Sequence, residues 1–163
     1  MKTTHTNAIL LVEDDKNDLL FMRMAMEKAG LADQLHVVED GQDAIDYLQG
    51  EGIYADRETH PLPCMVLLDT KLPHVMGLDV LKWIREQPAL ETMVVIMLTA
   101  SQQGSDIRRA CQLGANSYLV KPSNPLRLAE MMDALKRYWL IFNQPTAEAQ
   151  GSRLSEATTP GFR

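Results

Sequence analysis

The chain predicts an α/β protein, a doubly wound parallel sheet of five strands, and three observations carry that expectation. Five short apolar runs alternate with stretches of helical periodicity, the pattern of successive strand–helix units. Runs such as Ile9-Leu10-Leu11-Val12 and Met65-Val66-Leu67-Leu68 are continuous rather than alternating, as strands buried on both faces require. Four of the runs end in residues of strong chemistry: Glu13-Asp14, Asp69, Thr99 and Lys121. In open parallel sheets, ligands bind outside the carboxyl ends of the strands. At 163 residues, one domain with one core is expected.

The elements follow in order. Residues 9–12 form the first strand. Asp15 caps a helix running to about Ala29, with Asp18 near its positive end and Gly30 stopping it. Residues 35–38 read as the second strand, and Asp40-Gly41 turns the chain into a short helix with Ala44, Ile45 and Leu48 on one face. The polar connection 50–63 is 14 residues long, a length that points to a functional loop. The third strand is 64–68, followed by a helix over 78–86 that Pro88 ends. A fourth strand spans 93–98, a helix 105–113 stops at Gly114, and the fifth strand is 117–120. Ser123 or Asn124 then precedes Pro125, a residue suited to the first helical position. Leu128, Met131, Met132, Leu135, Tyr138, Trp139 and Phe142 make a broad apolar stripe along this last helix. Residues 143–163 have little to bury and are expected to be a disordered tail.

Composition excludes several classes. A net charge of −6 argues against a nucleic-acid surface, which is normally basic. No apolar run approaches the roughly 20 residues of a membrane span, and no signal-peptide core opens the chain. A cytoplasmic location is the expectation. Cys64 and Cys111 fall in separate core elements without metal spacing and are expected to be buried free thiols. His5, His36, His60 and His74 are scattered, with no ligand pair at helical spacing.

The residues at the strand ends suit one reaction. An ordinary Asp titrates near 3.9, so Asp69 is ionised at neutral pH and can attack phosphorus. The incoming phosphoryl group is also anionic, and Glu13 and Asp14 add to the repulsion unless a cation sits among the three. Oxygen donors of this kind suit magnesium. Lys121 offers a compact positive charge to one phosphoryl oxygen, and Thr99 a hydroxyl to another. Ala100 leaves the site accessible. Each residue alone has an ordinary explanation: acids open helices, threonine favours strands, and lysine favours the surface. Those explanations do not account for their joint arrival at the ends of one sheet.

Together, Val12-Glu13-Asp14-Asp15, Leu67-Leu68-Asp69-Thr70-Lys71-Leu72-Pro73, Leu98-Thr99-Ala100 and Tyr118-Leu119-Val120-Lys121-Pro122 resemble the receiver domain of two-component response regulators. The resemblance covers residues 7–142. It implies a flavodoxin-like fold with strand order 2-1-3-4-5, and phosphoryl transfer from a sensor histidine kinase to Asp69 with Mg2+. By the same resemblance Glu13 (through water), Asp14, Asp69 and the main-chain oxygen of Lys71 hold the metal. Thr99 and Tyr118 match the switch pair, Lys121 matches the phosphate-binding lysine, and Lys121-Pro122 is expected to be cis. Lys71 and Ser101, two positions after Asp69 and Thr99, match positions that set the lifetime of the acyl phosphate. The long 50–63 connection, the segment after Asp69, and Tyr138-Trp139 resemble single-domain regulators that partner bacterial phytochromes.

Two surfaces complete the expectation. Trp139, Leu140, Ile141 and Phe142 are too many apolar side chains for the domain's end to cover, which points to a homodimer through the last helix. Leu20, Met22, Met24 and Met26 cannot all be buried in the first helix. By resemblance, the kinase docks there and on Pro122-Ser123-Asn124. The function expected is a stand-alone phosphoacceptor switch that repacks its fourth-helix, fifth-strand and fifth-helix surface. It is expected to carry no enzymatic activity beyond its own phosphorylation and dephosphorylation. A phosphorylation-independent interaction module is the alternative. A phosphatase passing through an aspartyl phosphate is disfavoured, because Lys71 stands where such enzymes place a second acid.

Overall fold

The computed structural model of the chain describes residues 7–100 and 102–143; Ser101, His5 and all of the tail expected at 143–163 except Asn143 lie outside them. Five parallel strands run in the order 2-1-3-4-5: β1 (Ile9–Val12), β2 (Leu35–Val38), β3 (Met65–Leu68), β4 (Val94–Thr99) and β5 (Ser117–Val120). Between and after them lie α1 (Lys16–Lys28), α2 (Gly41–Gln49), α3 (Gly77–Glu86), α4 (Gly104–Gln112) and α5 (Pro125–Leu135).

Strand alternation sorts the core into two layers. Ile9, Leu11, Met65, Leu67, Ile96 and Leu98 face α1 and α5, where Leu19, Met22, Met26, Leu128 and Met132 meet them. Leu10, Val12, Val66, Leu68, Val95 and Met97 face the opposite side and pack on α2, α3 and α4. The continuous apolar runs are thus the sequence of a sheet covered on both faces. The caps expected at Asp15 and Asn124 form: Asp15 Oδ1 accepts from the amides of Asn17 and Asp18, and Asn124 Oδ1 from those of Leu126 and Arg127.

The 50–63 connection is an ordered structure. It makes a short 3₁₀ turn at Gly52–Tyr54, and Arg57 folds back over the end of α2. The Arg57 guanidinium donates to the carbonyls of Tyr47 (2.7 Å), Leu48 (2.8 Å) and His60 (3.1 Å). Two of these carbonyls belong to the last turn of α2, and that of Tyr47 also accepts from the Gly50 amide at 3.1 Å. Beneath the turn, Tyr47 is buried against Tyr54 and His60 and donates its hydroxyl to the Pro61 carbonyl at 3.0 Å. The apolar face of α2 therefore includes Tyr47 beside the expected Ala44 and Leu48, while Ile45 is only half-buried.

Three expectations are corrected. Cys111 is exposed because α4 turns only Ala110 fully inward, and Cys64, just ahead of β3, is half-buried on the opposite side of the sheet. The Lys121–Pro122 bond is trans, the isomer that X–Pro bonds prefer by about 0.5–1 kcal/mol. The last helix does not stay α-helical to Phe142. From Lys136 to Phe142 it winds as a π-helix, which breaks the 3.6-residue phase of the stripe. Trp139 and Leu140 pack on the α1 side of the core, whereas Tyr138, Ile141 and Phe142 are exposed, Phe142 by 71%.

Candidate functional site: an acidic pocket around Asp69

Strand register gathers the site. Val12 pairs with Leu68, so Glu13 and Asp69 leave adjacent strands side by side. Thr99 pairs with Val120, and the Lys121 amide donates to the Thr99 carbonyl at 2.8 Å. Glu13, Asp69, Thr99 and Lys121 thus gather at the carboxyl edge of the sheet. Asp69, Lys71, Thr99, Ala100, Gln102 and Gln103 line a cavity of about 330 Å³ there.

Lys121 is the hub. Its ammonium lies 3.0 Å from Asp69 Oδ2 and 3.0 Å from Asp18 Oδ2, and it also donates to Glu13 Oε2. The other Glu13 oxygen accepts from the Asp15 amide at 3.0 Å, so this buried carboxylate is bonded on both sides. Burial pushes the Glu13 carboxyl well above the usual carboxylate range, against the pull of Lys121 and of the Asp15 amide. Burial also works against the charge on Lys121. There the hydrogen bond that Lys121 donates to Glu13 and the charges of Asp69 and Glu13 outweigh it and hold the ammonium above the usual lysine range.

Glu13, Asp14 and Asp69 each offer an oxygen within 4.8 Å of the others, and Asp14 is exposed to solvent. Three hard oxygen donors around one opening fit an octahedral divalent ion that keeps part of its water shell. Lys71 stands in the loop just after Asp69, and its amide lies 3.4 Å from Asp69 Oδ1. Thr99 is buried at the pocket wall, and Tyr118, half-buried on β5, packs against the α2–α4 side of the core. Each site residue expected from the sequence therefore meets the same edge, with Tyr118 in the layer behind it.

Two residues were missed. Asp18 joins the Lys121 cluster from the first turn of α1. Thr70, 5% exposed, has its hydroxyl 2.8 Å from that of Thr99. The signal for Thr70 is the register: the offset of 29 residues that pairs Leu68 with Met97 also pairs Thr70 with Thr99. The loop carrying Asp69 and Thr70 is held by α3. The Gly77 amide donates to the Thr70 carbonyl at 2.9 Å, and a Cβ on Gly77 would lie 1.8 Å from the Asp69 carbonyl oxygen.

This fold with this acidic edge is that of a receiver domain. The profile of the response regulator receiver domain matches residues 9–133, and the chain belongs to that family. It is 37% identical over 144 residues to the probable methanogenesis regulatory protein FilR2 of Methanothrix harundinacea, covering 86% of this chain and 88% of that one. Response regulator Rcp1 of Synechocystis is 34% identical over 132 residues, with 81% and 88% covered. The Mn2+-bound structure of Rcp1 superposes with a TM-score of 0.73, covering 86% of this chain and 99% of that chain. Response regulator RPA3017 of R. palustris, described in red light signaling, superposes at 0.79 with 31% identity, covering 86% and 99%. Receiver domains as a family partner with histidine kinases and bind divalent ions at an acidic pocket.

Proposed function

We propose that this chain is a phosphoacceptor switch in which Asp69 takes a phosphoryl group from the phosphohistidine of a sensor kinase. The observation that carries this reading is Lys121 bridging Glu13 and Asp69 at the mouth of an acidic pocket beside Thr99. An Asp69 carboxylate oxygen forms the new bond to phosphorus as the bond from phosphorus to the histidine nitrogen breaks. The leaving nitrogen keeps the electron pair. Lys121 then holds one phosphoryl oxygen, and the Thr99 hydroxyl donates to another. Glu13, Asp14 and Asp69, with the Lys71 main-chain oxygen, would hold Mg2+, which offsets the carboxylate charge and that of the transferring group. Tyr118 follows Thr99 inward, and the surface of α4, β5 and α5 repacks. Hydrolysis returns Asp69 to its free carboxylate, and no other enzymatic activity is assigned.

The partners follow from exposed faces. Leu20, Phe21 and Met24 stand out on α1, the helix whose first turn brings Asp18 to Lys121, and suit the kinase. Tyr138, Ile141 and Phe142 suit self-association of two copies through the last helix. The likeness to RPA3017, described in red light signaling, and to the cyanobacterial phytochrome response regulator RcpA supports a phytochrome kinase as the phosphoryl source, in the cytoplasm. A charge of −6 supports output through protein contacts rather than nucleic acid.

The test is intact mass after incubation with acetyl phosphate and magnesium, beside Asp69→Asn. A single magnesium-dependent phosphoryl adduct absent from the variant is expected. No adduct, with no magnesium binding in a titration, overturns the reading in favour of a phosphorylation-independent interaction module.

A further inference from the structure

We propose that Thr70 is a positioning residue that latches the Thr99 hydroxyl in the resting state, so that the phosphoryl group must compete with Thr70 for it. The inference rests on the phosphoacceptor reading of Asp69 and concerns a residue that reading does not use.

Three observations carry it. The two hydroxyls lie 2.8 Å apart and both residues are buried, Thr70 at 5% and Thr99 at 2% exposure. Water therefore has little access to substitute for either partner, and breaking the bond without a replacement is costly. Thr70 Oγ1 also lies 3.5 Å from Asp69 Oδ1, at the outer limit of hydrogen-bond distance, so a carboxylate acceptor is at hand for the Thr70 proton. The latch assigns that proton to Asp69 and makes the Thr99 hydroxyl the donor to Thr70, one of the two directions the pair allows. The proton that Thr99 would offer a phosphoryl oxygen is thus already committed. Finally, the latch is on the rigid side of the pair. The Thr70 carbonyl accepts from the Gly77 amide at 2.9 Å, and Gly77 packs so closely on the Asp69 backbone that no side chain fits between. Thr70 stays in place, and Thr99 is the side chain that turns.

A phosphoryl group on Asp69 offers Thr99 an anionic acceptor in place of a neutral hydroxyl. Charged acceptors bind a donor about twice as strongly, so the exchange runs toward the phosphoryl group. Its drive is reduced by whatever the Thr70 bond contributed. Removing the Thr70 hydroxyl should therefore favour the phosphorylated arrangement.

The probe is beryllofluoride with magnesium, a stable stand-in for the phosphoryl group, titrated calorimetrically into the full chain. Thr70→Val keeps the volume and removes the hydroxyl, and its affinity is expected to rise about fivefold, the equivalent of one ordinary neutral hydrogen bond. Thr70→Ser keeps the hydroxyl and is expected to stay near the unmodified chain. Affinity that is unchanged or weaker in Thr70→Val overturns the latch. A second measurement needs no variant: side-chain couplings of both threonines by NMR, with and without beryllofluoride. Thr99 is expected to change rotamer while Thr70 does not; rotation of Thr70, or a static Thr99, overturns the proposal. If the unmodified chain takes up neither beryllofluoride nor a phosphoryl group, the phosphoacceptor reading falls and the latch with it. Uptake without the Thr70 effect removes the latch alone.

Discussion

The Lys121 ammonium lies 3.0 Å from Asp18, a contact that ties the first turn of α1 to the end of β5. It gives Lys121 a third carboxylate besides Glu13 and Asp69, one for each of its three protons. The three are not equivalent. The Asp18 side chain is 40% exposed, whereas those of Glu13 and Asp69 are 1% and 12% exposed.

That inequality sets two stabilities apart. Asp18→Asn removes a partly hydrated, salt-screened partner and is expected to cost less than about 1 kcal/mol. Lys121→Met strands the buried Glu13 beside Asp69 and is expected to cost about 3 kcal/mol or more. Magnesium should recover more stability in Lys121→Met than in the unmodified chain, since the stranded acids gain most from a cation. Urea denaturation with and without magnesium checks both. Equal losses in the two variants would contradict the ranking.

Gly77 is expected to be intolerant for a reason that reaches the site. Its Cβ would lie 1.8 Å from the Asp69 carbonyl oxygen, a backbone atom that cannot step aside. Gly77→Ala should cost at least the roughly 1–3 kcal/mol typical of overpacking. It should also displace the loop that aims Asp69, so uptake from acetyl phosphate should fall in whatever fraction remains folded. Gly104 is the control, because none of the described residues lies within 4 Å of its Cβ position and Gly104→Ala should be neutral or slightly stabilising. Thermal melting and intact mass read both variants.

Arg57 closes the end of α2 with three hydrogen bonds to carbonyls. Arg57→Leu should cost about 2 kcal/mol, since bonds to a charged donor contribute more than neutral ones. Arg57→Lys should recover little, because one ammonium cannot reproduce the planar fork. Limited proteolysis across 50–63, compared with the melting temperature, checks whether the connection opens before the domain does.

Tyr47 predicts an alkaline limit. Burial raises its phenol to about 12, against an ordinary value of 10. Between those values the unfolded chain has lost a proton that the folded chain keeps, so stability falls as pH rises from 10 toward 12. Tyr47→Phe should shed part of this slope while losing the bond to Pro61, about 1 kcal/mol at neutral pH. Tyr54, also raised by burial, keeps a smaller slope in the variant. Denaturant midpoints at pH 8 and pH 11 measure the difference.

Much of this site is visible in the chain because it depends on strand ends. Once β1, β3, β4 and β5 are recognised as strands, Glu13, Asp69 and Lys121 follow as the residues just after β1, β3 and β5, and Thr99 as the last residue of β4. What escapes notice depends on register or on long-range partners. Thr70 matters only because β3 and β4 pair with the offset that brings it to Thr99. Tyr47 is buried because Tyr54, His60 and Pro61, all in the connection, come back to cover it. Asp18 reads as a first-turn acid until Lys121, 103 residues away, is placed beside it. Cys111 shows the opposite error, an apolar-looking residue on a helix that buries only its neighbour Ala110.

The π-helix at the end of the chain's last helix carries a geometric consequence. Seven residues wound more widely than an α-helix turn through a smaller angle per residue, so the azimuth of everything after Lys136 lags behind that of an unbroken α-helix. Tyr138, Ile141 and Phe142 therefore point where an unbroken helical wheel would not send them, and Trp139 and Leu140 rotate onto the core. Two relatives with the same residues here but a different winding would present different faces. Compatibility between such chains is then encoded in pitch, and a one-residue insertion or deletion near Lys136 could change a partner without altering any contact residue.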